Sequence, residues 1–143
     1  MPLGPDTPQW NQLAARLAAL VQQAGAMNAV VMDAHNALWC RASYLGEGEK
    51  QWVFELLARA LPLATGPLER GGRIDHVRCE VAPFWLARSF AGIYVLVLWF
   101  ERQFADAWVR AIVRRALPDI EALTTSLPPP DGPHREAGVV PKP

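Results

Sequence analysis

Ile93-Tyr94-Val95-Leu96-Val97-Leu98-Trp99-Phe100 is apolar at both its odd and its even positions. A strand with one wet face alternates, whereas one that is apolar on both faces needs cover above and below. The run therefore predicts the central strand of a sheet with helices on both sides. It is the longest apolar stretch of the chain, and at eight residues it is far too short to span a bilayer as a helix, which takes about 20 residues.

Upstream, Ala91-Gly92 marks a turn into a preceding strand from Pro83 or Phe84 to Phe90, and Ala82-Pro83 marks another turn before that. Arg73 to Val81 alternates, with Val77, Cys79 and Val81 opposite His76, Arg78 and Glu80. That pattern predicts an edge strand. Earlier still, Asn28-Ala-Val-Val-Met-Asp33 and Ala37 to Ser43 flank a polar turn through Ala34, His35 and Asn36. They predict a β-hairpin, with Asn36 best able to take a left-handed turn conformation and Asp33 closing it as an Asx turn.

Three helices complete the order. The first opens on Thr7-Pro8, a capping residue followed by a residue tolerated at the first helical position, and ends at Gly25. Trp10, Leu13, Ala14, Leu17, Leu20, Val21 and Ala24 form its apolar stripe. The second runs from about Gly48 to Leu61 and is ended by Pro62, with a loop from Pro62 to Gly72. The last starts near Gln103, presents Phe104, Trp108, Ala111 and Ile112 on one face, and is kinked or broken at Pro118. The sequence therefore predicts an α/β (α+β) domain: one five-stranded antiparallel sheet with helices on both faces, in the order α-β-β-α-β-β-β-α.

The expected domain spans residues 8–127, after a short N-terminal extension (1–7) and before a Pro-rich, disordered tail (128–143). Removing Pro128 to Pro143 should leave the melting temperature within a few degrees of the full chain, since this segment has almost nothing to bury. A larger drop in a thermal melt would show that it packs on the domain.

Composition narrows the function classes. The chain has 143 residues, enough for one domain, and is 51% hydrophobic and 20% charged, which describes a folded core. Fourteen basic residues balance 14 acidic ones, so the electrostatic footprint of a nucleic-acid binder is missing. Met1 to Pro8 has neither basic residues nor an apolar run and does not read as a secretory leader. Cys40 and Cys79 sit in apolar segments, as reduced thiols do, and the chain reads as cytoplasmic, without membrane insertion.

No catalytic constellation emerges. His76 and Cys79 resemble a nucleophile and its base, but three residues apart on a strand they face opposite sides. Cys79 reads as a small core residue and His35 as a solvated turn residue. Two Cys and three His, one of them His134 in the tail, give no zinc spacing, so neither metal nor cofactor is expected. Gly46-Glu-Gly-Glu-Lys50 lacks the glycine spacing of a phosphate loop and follows no buried strand. Asp33 has no second carboxylate beside it for acid–base work. The chain is not expected to be an enzyme.

This succession of elements, from Gln9 to Leu127, resembles the roadblock (dynein light chain-like) family, relatives of longin domains. The resemblance rests on the first helix ending in Gly25 before Ala-Val-Val-Met-Asp33, on a short second helix after the hairpin, and on the apolar strand Tyr94 to Phe100 running into a last amphipathic helix. The family's glycine in the first hairpin turn is replaced by Asn36 or absent. What the resemblance implies is a dimer, with itself or a roadblock paralogue, joined through the second helix and third strand. That dimer would hold or scaffold a small Ras-like GTPase, which in bacterial members sets cell polarity and motility.

The second helix points to pairing without the family. On a helical wheel, Trp52, Val53, Phe54, Leu56, Leu57, Ala58, Ala60 and Leu61 cover about two-thirds of its circumference, where one core contact needs about 100°. Gln51, Glu55 and Arg59 fill the remainder. Val53 and Leu57 lie mid-arc and should face the sheet, leaving Trp52 on one flank or Phe54 on the other for a partner, unless the loop Pro62 to Gly72 or the tail covers that side. Arg110, Arg114 and Arg115 on the last helix read either as a solvated face complementing the helix dipole or as a docking site for an acidic partner surface; nothing selects an arginine finger. The residues expected at a protein interface are Trp52, Phe54, Leu56, Arg59, Val77, Arg110 and Arg114. The competing reading, from another class, is a small-molecule sensor of PAS or GAF type, which needs a part-polar cavity beside the sheet.

Overall fold

The computed structural model describes residues 8–128, apart from 36, 44 and 80–83. The elements are α1 (Pro8–Ala24), β1 (Asn28–Asp33), β2 (Leu38–Arg41), α2 (Glu47–Ala60), β3 (Val77–Cys79), β4 (Phe84–Phe90), β5 (Tyr94–Phe100) and α3 (Asp106–Thr125). The strands form one antiparallel sheet in the order β2-β1-β5-β4-β3. The class, element order and central place of β5 are those the sequence predicts.

Alternation along each inner strand divides the core into two layers. Ala29, Val31, Leu86, Phe90, Leu96, Leu98 and Phe100 pack with α1 and α3. Val30, Met32, Trp85, Ala87, Val95, Val97 and Trp99 pack with α2. A strand sandwiched in this way must be apolar throughout, and Val95 to Phe100 are all buried.

Two polar residues fix the hairpin. Asp33 is buried, and its Oδ1 accepts from the amides of His35 (2.8 Å) and Ala37 (3.2 Å), while Oδ2 accepts from Trp39 Nε1 at 2.8 Å. The Asx turn is present, and it also anchors the indole that packs on Trp10 and Tyr94 at ring-centroid separations of 6.0 and 5.0 Å. At the other end Asn28 Oδ1 accepts from Ala29 N (2.8 Å) and Ser43 N (3.1 Å), extending the link beyond β2. Gly25 takes φ +71, the left-handed stop expected after α1.

Several local expectations need correction. The third strand does not begin at Arg73: it starts at Val77 because His76 adopts a left-handed φ of 56, which breaks the ladder before it. Ile74 is tied to β4 instead through Ser89, whose Oγ accepts the Ile74 amide at 2.8 Å and donates to its carbonyl at 3.0 Å. β3 is nonetheless the sheet edge, as its alternation predicts. The loop after α2 contains two short 3₁₀ turns, Leu61–Leu63 and Leu68–Arg70.

The last helix is continuous for 20 residues with Pro118 inside it. Pro118 is exposed, on the side of a helix where a carbonyl deprived of its amide partner can turn to water. Its inner face is Val109, Ile112, Val113, Leu117 and Ile120, so Trp108 and Ala111 point outward, contrary to expectation. Thr7, Asn36, Glu80, Val81, the N-terminal extension and the tail beyond Pro128 lie outside the described residues.

Candidate functional site

Most of the expected interface residues fall on the α2 side of the sheet. Val53, Leu56, Leu57 and Ala60 are the buried stripe of α2, so Val53 and Leu57 face the sheet as the helical wheel predicts. Leu56 is 0% exposed; it belongs to the core and cannot touch a partner, a correction to the expected set. Trp52 and Phe54 are half-buried at the two flanks, with Trp52 edge-on to Trp99 at 5.2 Å. Arg59 is exposed in the last turn, and Val77 is half-buried on β3 against the same layer.

The loop after α2 supplies part of the missing cover. Leu68 is buried in this layer, with Leu61 and Ala64 packed against it. The same loop leaves Leu63 66% exposed beyond the end of α2. Two indole donors here, Trp52 Nε1 and Trp85 Nε1, are buried without a hydrogen-bond partner among the described residues. A buried donor left unmet costs about 1–3 kcal/mol.

Arg110 and Arg114 lie across the sheet from that face, beside a charged cluster at the β3–β4 edge. The Arg110 guanidinium donates to the His76 carbonyl at 3.0 Å and pairs through Nε with Asp106 at 2.8 Å, where Arg78 also approaches at 3.7 Å. Arg88 is ion-paired with Asp75. Arg110 is thus spent on structure, while Arg114 is exposed. Sequence order pairs 75 with 76 and, one helical turn apart, 106 with 110; the sheet register and the line of α3 bring these two pairs and Arg88 together.

His76 is the strained centre of this cluster. Its side chain is wholly buried, and Asp75 Oδ1 lies 3.3 Å from Nδ1 without hydrogen-bond geometry. Burial first, and then Arg88, hold the imidazole below its usual 6.5, against the pull of Asp75. The native state therefore refuses a proton that the unfolded chain accepts near pH 6.5. The stability tied to neutral His76 is complete above that pH and is lost as pH falls through 6.5 towards the folded value. His76→Asn, which tolerates a left-handed backbone but does not titrate, should flatten the melting temperature between about pH 7.5 and 5.5. An unchanged slope would contradict this assignment. For Asp75, burial opposes ionisation, but Arg88, Arg73 and His76 together hold the carboxyl below its ordinary range.

The arrangement offers little for catalysis. Cys79 packs on the α2 side, and neither imidazole nitrogen of His76 has a hydrogen-bond partner among the described residues, so the two do not form a thiol–imidazole pair. Gly46-Glu-Gly-Glu-Lys50 opens α2, and its Lys50 pairs with Glu47 at 3.7 Å. Glu47 and Glu49 occupy the first turn, where a phosphate would be repelled. No cluster of three metal-ligating side chains occurs among the described residues, and no helix among them is long and apolar enough to cross a membrane. Two grooves, of about 520 and 370 Å³, lie along the outside of α1 and α3 and not between helix and sheet, where a sensor cavity would be.

No protein-family model matches the sequence, and no curated protein matches it. Solved structures do. MglB of Myxococcus xanthus is similar over 82% of this chain and 98% of its own, with a TM-score of 0.64 at 17% identity. The gliding protein MglB of Thermus thermophilus gives 88% and 98%, with 0.67 at 14%. An MglB with a tetrameric arrangement gives 88% and 98%, with 0.65 at 15%. These likenesses establish the fold as the roadblock/longin-like one expected from the sequence.

Proposed function

We propose that this chain is a non-enzymatic interaction module: a dimer, with itself or a paralogue of the same fold, that regulates or scaffolds a small Ras-like GTPase in bacterial polarity or motility. The observation that carries this reading is the near-complete overlay on MglB, a gliding protein in Thermus, 98% of whose chain is matched.

The α2 face supports the pairing. Trp52 and Phe54 flank it half-exposed, Leu63 extends it, and β3 is an edge strand beside it. A second copy related by a two-fold axis would extend the sheet and bury these side chains together. That an MglB of this fold adopts a tetrameric arrangement supports self-association as a property of the fold. For the GTPase, the chain is used as bait in its host's extract, and any retained Ras-like GTPase is purified. Its affinity is then measured in the GDP state and with a non-hydrolysable GTP analogue. A preference of about tenfold for one state, worth about 1.4 kcal/mol, is expected of a regulator. Absence of any Ras-like GTPase that binds in either state would overturn the proposal.

A further inference from the structure

The outer surface of the α1–α3 layer is not that of a plain solvated helix pair. Trp108 is 55% exposed, although tryptophan is among the side chains with most apolar area to shelter. It stands where the two grooves meet, one running between the helices past Arg16 and Ile112, the other towards Phe104 and the exposed Met27. From Trp108 an exposed line continues through Ala111, Arg115, Pro118 and Ala122. Its spacing alternates three and four residues, the rhythm of a seam between helices. The core already occupies the opposite face of α3, through Val109, Val113, Leu117 and Ile120. This helix therefore carries two contact faces, and among the described residues only one is used within the chain.

The charges on the line indicate what covers it. Arg115 and Asp119 are both exposed and lie one turn apart. Laid antiparallel on itself about a two-fold axis between them, the line sets Arg115 against Asp119 of the second copy, twice. The same register sets Ala111 against Ala122 and Trp108 over the last turn of the other helix. Alanines at these places allow the close approach of packed helices, about 8–10 Å between axes. A partner of one charge sign would match Arg115 or Asp119 and oppose the other.

We propose that the outer α1–α3 face, anchored on Trp108, is a self-association surface occupied by the same face of a second copy. It lies across the sheet from Trp52 and Phe54, so the two contacts do not compete. Used together, they join dimers into tetramers, but this contact does not depend on the α2 pairing.

Sedimentation of the full chain tests it from about 10 to about 300 µM, a range suited to micromolar contacts. Wild type should exceed the mass of the Trp108→Glu chain at the top of the range, and exceed the dimer mass where the α2 pairing also forms. Trp108→Glu and Arg115→Asp should each weaken the larger assembly by at least about tenfold, with unchanged circular dichroism. Arg115→Asp combined with Asp119→Arg should restore it, because the pair is only exchanged. The Arg16–Asp119 link lost in that variant spans 3.9 Å between well-exposed groups and contributes little. If Trp108→Glu sediments like wild type at every concentration, or the double reversal fails to restore the mass, the proposal is overturned. If Phe54→Glu changes nothing while Trp108→Glu halves the mass, this contact stands and the α2 pairing falls.

Discussion

A chain carrying Asp33→Ala should lose about 3–5 kcal/mol of stability, a drop of roughly 10–20 °C in melting temperature for a domain of this size. The carboxylate satisfies three buried or half-buried donors at once: the amides of His35 and Ala37 and the indole of Trp39. Alanine fills none of them and leaves the Trp39 N–H orphaned at 3% residue exposure, so the cost includes its desolvation as well as the lost bonds. Asp33→Asn should cost less, because one oxygen still serves the turn while its amide group faces the indole, donor against donor. A double-mutant cycle with Trp39→Phe isolates the indole share: Asp33→Ala should be milder where no N–H waits for a partner. Urea melts give all four values, and a loss below about 1 kcal/mol in Asp33→Ala would remove Asp33 from its place as the anchor of the hairpin.

The second large effect separates the core of α2 from its flanks. Val53 is 1% exposed beneath the helix, and Val53→Glu buries an unpaired carboxylate at a cost of several kcal/mol, enough to unfold the domain. Trp52→Glu and Phe54→Glu place the same charge on half-exposed flanks, where water reaches it in the isolated chain. These two variants should keep the helical circular dichroism of wild type and, in a Trp108→Glu background, lose the dimer. All three carry the same carboxylate, so the contrast is set by position. Unfolding in all three would mean that the flanks are core, with the loop through Leu68 covering α2 completely.

Much of this fold could be read from residue pattern because two local signals were unambiguous. The run to Phe100 had no polar face, which left only a central position for β5. Asp33 and Gly25 each demand a particular backbone, so the hairpin turn and the stop of α1 followed from chemistry confined to a few residues. Other features depended on contacts between distant segments. α3 carries two apolar stripes: the pattern pointed to the one with Trp108 and Ala111, whereas the sheet's position selects the one with Val109 and Val113. The left-handed bend at His76 is held by Arg110, 34 residues away, and no local propensity predicts it.

The candidate site divides in the same way. The oversized apolar arc of α2 was legible from helical geometry, but its division was not: Leu56 went to the core, while Trp52 and Phe54 stayed at the rim. Leu63 was hidden from the pattern because it follows Pro62, beyond the expected end of the helix, in a 3₁₀ turn. Arg110 looked like a free surface charge, but it pairs with Asp106 one turn back on the same helix and donates to the His76 carbonyl, 34 residues away, which the linear pattern does not bring near.

Whether this domain works as a pair joined through α2 is decided by light scattering after size exclusion. Trp108→Glu is the suitable background, because it removes the other proposed contact and leaves α2 untouched. At about 100 µM, well above a micromolar dissociation constant, that chain should elute at twice its 15.8 kDa. Adding Phe54→Glu should bring it to the single-chain mass while the fold persists. A Trp108→Glu chain that already runs at 15.8 kDa would refute the pairing, since α2 would then be covered from within its own chain.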